Sequence, residues 1–86
     1  MGSDHDAERR AHMRAAIIRH LQRHHLAGDT ADGIAASWLP AQGFEDAARH
    51  VDAVVEAMVA AGELLPQRLP GGKVLYLRGP RLSGPA

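Results

Sequence analysis

Apolar residues recur every three or four positions through the first third of the chain. Ala7, Ala11, Met13, Ala16, Ile17, Ile18 and Leu21 form one stripe, with Arg10, Arg14, Arg19 and Arg23 between them. That spacing predicts an amphipathic helix over about 6–25. Asp4, Asp6 and Glu8 stand at its start, where the helix dipole favours anions. "LAGDTAD" breaks the pattern at Gly28, and Asp29 or Thr30 can cap the next helix by accepting a backbone N–H. A short helix over about 31–39 then places Ile34 and Trp38 on one face before Pro40 stops it. A third helix over about 44–61 carries Ala47, Val51, Val54, Val55, Met58 and Val59, with Gly62 as its left-handed terminator.

After Gly62 the period shortens. "LLPQRL" and "KVLYLR", joined by "PGG", read as strands over about 64–69 and 73–78. Pro66 cannot donate to a ladder, which confines the first of them to an edge or a bulge. The Gly- and Pro-rich stretch 81–86 is expected to fray. The candidate core is Ile17, Leu21, Ile34, Trp38, Val51, Val55, Met58 and Leu64. Trp38 has two readings: an anchor of the helical core, or an exposed hot spot for another protein.

Composition narrows the function. The chain has 86 residues and three aromatic side chains, so it forms one small domain with a thin aliphatic core and little room for an enclosed active site. It has no cysteine, which excludes disulfides, thiolate nucleophiles and cysteine-ligated metals. No apolar run approaches the roughly 20 residues that span a bilayer, and a soluble cytoplasmic protein is expected. The net charge of zero conceals a regional asymmetry. Up to residue 28, five arginines oppose three acids (+2); from 29 to 63, Arg49 alone opposes seven acids (−6); from 64 onward, Arg68, Lys73, Arg78 and Arg81 meet none (+4).

The order helix, helix, turn, helix, hairpin resembles the winged helix-turn-helix family of DNA-binding domains. The likeness rests on "TADGIAASWL" as the supporting helix, "RHVDAVVEAMVAAGEL" as the recognition helix and "LLPQRLPGGKVLYLR" as the wing, with Val55, Met58, Gly62 and Leu64 in the positions of an "L..L...G.L" pattern. It implies an α+β fold over residues 1–80, a three-helix bundle followed by a two-stranded wing. It also implies a small prokaryotic transcriptional regulator that binds double-stranded DNA without enzymatic chemistry. Homodimers that span two half-sites are common among similar proteins. On that template Asp46, Arg49, His50 and Ala53 face outward, Arg49 and His50 meet bases, and Arg68, Lys73 and Arg78 hold phosphates. Against it stands the −6 segment, since carboxylates are repelled by phosphate. The alternative reading is a protein-interaction module that uses the acidic surface of the second and third helices. Glu45 and Asp46 have a local explanation, as anions at the positive end of their own helix.

Other constellations add little. His20 and His24 are four residues apart, a spacing that can hold a metal, but no third ligand accompanies them, so no metal and no cofactor is expected. A modest pH response is the more credible role for these histidines. "LPGGK" lacks the spacing of a phosphate-binding loop, and no serine sits in a catalytic motif.

Overall fold

The computed structural model describes residues 3–82, with side chains from residue 5 onward. Helix α1 runs from Ser3 to Arg23, a turn earlier than its apolar stripe begins, and a two-residue strand, β1 (Gly28–Asp29), follows. Helix α2 (Ala31–Gly33) opens on Thr30, whose hydroxyl accepts the Gly33 N–H at 3.1 Å, while the Asp29 carboxylate accepts the Thr30 N–H at 2.8 Å. Both anticipated capping residues therefore act, one on the helix and one on the cap.

The helix then widens. Over Ile34–Trp38 it is π-helical, and the Leu39 N–H reaches the Ile34 carbonyl, five residues back, at 3.1 Å. A turn of that width returns Leu39 to the side of Ile34, and both are fully buried. A 3-10 turn (Pro40–Gln42) leads to α3 (Ala47–Ala60), which starts three residues later than its apolar pattern because Glu45 and Asp46 form a turn. Gly62, at φ 77°, ends it as the sequence requires.

The hairpin strands are β2 (Leu64–Arg68) and β3 (Val74–Arg78). They pair antiparallel, and β1 adds to the other side of β3, giving a three-stranded sheet in the order β1-β3-β2. A two-residue strand has no periodicity to read, which is why the sequence suggested a two-stranded hairpin alone. The whole is a small α+β fold of three helices and one antiparallel sheet.

All eight candidate core residues are buried, joined by Met13, Ala16, Leu39, Phe44, Ala47 and Val54. Trp38 is 6% exposed and so anchors the helices. The expected fraying tail is partly ordered: the Arg81 N–H bonds the Gly62 carbonyl at 2.8 Å and Leu82 is 8% exposed, while 83–86 lie outside the described residues.

Glu63 is the buried carboxylate. It is 4% exposed, and the Arg14 guanidinium meets it with a two-pronged grip, Nε to Oε1 at 2.8 Å and a second nitrogen to Oε2. The Arg14 side chain is 47% exposed, so water can reach one side of the pair. Arg14→Ala is therefore expected to destabilise by about 1–3 kcal/mol in urea unfolding, the cost of a stranded buried acceptor, rather than the larger cost of a fully enclosed ion pair. Replacing both residues with aliphatic ones, Arg14→Met with Glu63→Leu, should recover most of that loss.

Candidate interaction surface

Helix α3 has two faces, and its spacing decides them. Ala47, His50, Val51, Val54, Val55 and Met58 repeat at three- and four-residue steps and are all buried. His50 is thus turned inward, 6% exposed, contrary to the outward position expected of a base reader. It lies three residues after Ala47 and four before Val54, so it belongs to the apolar stripe. Its Nδ1 is buried without a hydrogen-bond partner, and its Nε2 stands 3.7 Å from an Asp46 oxygen.

Ala53 is also off the outward face. It lines a groove between α3 and α1, beside Ala7, Ala11 and Ala57. Asp46 is half-buried and gripped by Arg9, with Nε at 3.1 and 3.0 Å from the two carboxylate oxygens and a terminal nitrogen at 2.6 Å from one of them. That hydrogen bonding holds the Asp46 carboxyl below its usual range and raises the Arg9 guanidinium. No side-chain capping bond ties Asp46 to α3, so its partner is a distant arginine rather than its own helix start. The same guanidinium sits over the Phe44 ring, 4.7 Å from its centre.

What α3 presents to solvent is Ala48, Arg49, Asp52, Glu56, Ala57 and Ala60, with Glu45 exposed just before it. One cation stands among three acids.

The hairpin cations divide. Arg68 and Lys73 are exposed near the turn; Arg78 is half-buried at the opposite end, paired with Leu64. The ends of the ladder are four residues apart, about 14 Å along an antiparallel strand. Arg78 therefore does not share the wing tip with the other two. Side chains alternate across the sheet, and Leu64 is buried. Pro66, Val74 and Tyr76 accordingly share its helix-facing side, and Leu65, Leu75 and Leu77 form the outer side, with Leu65 51% exposed.

Between α3 and the sheet lies an apolar groove of about 450 Å³ lined by Glu56, Val59, Ala60, Pro66, Val74 and Tyr76. A recess of about 310 Å³ takes in the same Val74 and Tyr76 together with Asp32 and Lys73, and a third of about 180 Å³ places Asp32 opposite Asp52 beside Ala35 and Ala48. Shared lining residues join the three into one band across α2, α3 and the hairpin. Its carboxylates are Asp32, Asp52 and Glu56, and its cation is Lys73.

No protein-family model, curated protein or solved structure matches this chain. The chemistry must be read from the side chains themselves. Among the described residues no three His, Asp or Glu side chains converge on a point where a metal ion would sit. No described helix is long and apolar enough to cross a membrane.

Sequence reasoning missed the two arginine clamps, Arg9–Asp46 and Arg14–Glu63, which span 37 and 49 residues. Nothing local signals such pairings. The inward turn of His50 did have a signal, its place in the stripe.

Proposed function

We propose that this chain is a winged helix-turn-helix module that binds another protein, through the band formed by the outward face of α3, the start of α2 and the groove beneath the hairpin. The order of helices and hairpin supports the winged-helix reading, with β1 as a short third strand. The single observation that carries the functional reading is the charge of the α3 face. Asp52 and Glu56 surround Arg49 there, and Asp32 extends the acidic strip. Placed against a duplex, those carboxylates would confront phosphates. Placed against a protein, the same acids flanking an apolar groove suit a segment that alternates basic and apolar side chains.

A second reading has its own support. Arg68 and Lys73 are exposed and make no ion pair among the described residues, so they could clamp a DNA backbone from the wing alone.

A two-part titration separates them. Fluorescent random-sequence duplex is expected to show no binding tighter than about 100 µM at about 50 mM salt. A cationic amphipathic peptide, with Arg and Leu at helical spacing, is expected to shift the amide resonances of Ala48, Asp52, Glu56 and Val59, and Asp52→Lys with Glu56→Lys should abolish those shifts. Micromolar, salt-sensitive duplex binding that is lost in the Arg68→Ala, Lys73→Ala variant would overturn the protein-binding proposal in favour of the wing.

A further inference from the structure

Arg19, His20 and Arg23 at the end of α1, and His24 just after it, line one recess of about 350 Å³, closed on its far side by Trp38, Ala41 and Gln42. It lies apart from the acidic band and shares no lining residue with it. No carboxylate lines it.

A helix C-terminus attracts cations through its free carbonyls, and that alone would explain basic residues near residue 23. It does not explain their convergence. Three nearby carbonyls already have donors: that of Ala16 from the Gln42 side-chain amide at 2.9 Å, that of His20 from the His24 N–H at 2.9 Å, and that of His24 from the Ala27 N–H at 3.0 Å.

The recess is also braced. Gln42 spans two helices, its amide nitrogen bonded to the Ala16 and Trp38 carbonyls at 2.9 and 3.3 Å, while its oxygen accepts from the Arg19 Nε at 3.3 Å. A guanidinium on a four-bond stem is thereby steadied from a fixed amide, with its terminal nitrogens left to other partners. His20 lies flat on Trp38, ring centres 4.1 Å apart and 19° from parallel, and His24 stands 4.8 Å from His20. Arg23 makes no ion pair among the described residues. Two guanidiniums and two imidazoles thus face one volume with no carboxylate in its lining.

We propose that this recess is a binding site for a phosphate-class polyanion, held by Arg19 and Arg23, with the His20 and His24 imidazoles beside it against the Trp38 wall. Arginine suits that ligand because its planar fork meets two oxygens at once. The volume is at the lower end of small-molecule sites, about 300 Å³ and upward, which fits a di- or triphosphate group.

Binding is coupled to protons. Burial, and then the neighbouring His24, lower the His20 pKa, while Asp29 of β1 pulls the other way. Arg19 and Arg23 on the same helix add to the local positive charge, and Trp38 and Gln42 on the opposing wall add none. An anion in the recess favours the charged form of His20, so affinity rises as pH falls toward the lowered range in which that imidazole takes up its proton.

Trp38 is the sole tryptophan of the chain, so its fluorescence reports on the recess directly. Pyrophosphate and ATP, titrated at constant ionic strength, are expected to give a saturable change with submillimolar midpoints at about pH 5.5, weakened about tenfold at about pH 8. ATP and pyrophosphate of equal affinity would mean that the phosphates alone are read; tighter ATP would add a contact to the nucleoside. Arg19→Gln with Arg23→Gln should weaken binding at least tenfold, whereas Arg49→Gln, on the far helix, should not. A non-saturating response, an equal response in the double variant, or an affinity indifferent to pH would each overturn the site. Circular dichroism of every variant reads folding separately.

Discussion

Replacing Gly79 by alanine is expected to destabilise the fold by about 3 kcal/mol. A β-carbon at this position would lie 2.4 Å from the Gly62 carbonyl oxygen, 2.7 Å from the Glu63 carbonyl carbon and 2.8 Å from the Leu64 nitrogen. All three are backbone atoms, so no side chain can swing aside to make room. The approach is close because the Gly79 N–H bonds the Glu63 carbonyl at 2.9 Å, and the Arg81 N–H bonds the Gly62 carbonyl just beyond. These bonds fasten the end of β3 to the exit of α3. Relieving the clash breaks them and lifts Leu82 out of the core. At about 0.05–0.15 kcal/mol per residue, a chain of this length has little reserve. The urea midpoint should fall sharply, and the amide resonances of Glu63, Leu64 and Arg81 should lose their native positions.

Trp38→Ala is expected to cost about 3–5 kcal/mol. The indole is 6% exposed, lies against His20 of α1 and belongs to the wide turn that also buries Ile34 and Leu39. Its removal opens a cavity where the π-helical turn meets α1. Thermal unfolding followed by far-ultraviolet circular dichroism should place the variant at or near the edge of folding at room temperature. Trp38→Phe should retain most of the stability, because a ring still stacks on His20. If alanine were tolerated within about 1 kcal/mol, the anchoring role would be wrong and the site would be able to collapse.

The helices and the hairpin were legible because each is set by its own neighbours. The α1 stripe, the Gly62 exit and the Lys73-to-Arg78 strand all follow from periodicity and turn chemistry within a dozen residues. What escaped was set by partners far along the chain. Strand β1 exists because Gly28 and Asp29 meet Leu77 and Tyr76 of β3, and two residues carry no pattern. Asp46, at the start of α3, is held by Arg9 from 37 residues away. The proposed interaction band was half legible. The acidic bias between 29 and 63 pointed to the face around Asp52 and Glu56. His50 was misplaced because the winged-helix template, with Val51, Val55 and Met58 facing the core, put it on the outward face, although its spacing from Ala47 and Val54 puts it in the buried stripe. Arg78 was grouped with Arg68 and Lys73 by charge, while strand register separates it from them.

The two arginine clamps grip α3 at opposite extremities. Arg9 holds Asp46 just before the first turn, and Arg14 holds Glu63 just after the last. Both originate on α1, so α3 is tied at head and tail to one rod, which opposes its rolling about its own axis. The azimuth of Asp52 and Glu56 is therefore locked before any encounter. On the proposed protein-binding function, a partner would meet a finished die instead of a surface that must be shaped around it, and the ordering entropy that a mobile helix would forfeit on association has already been spent in folding.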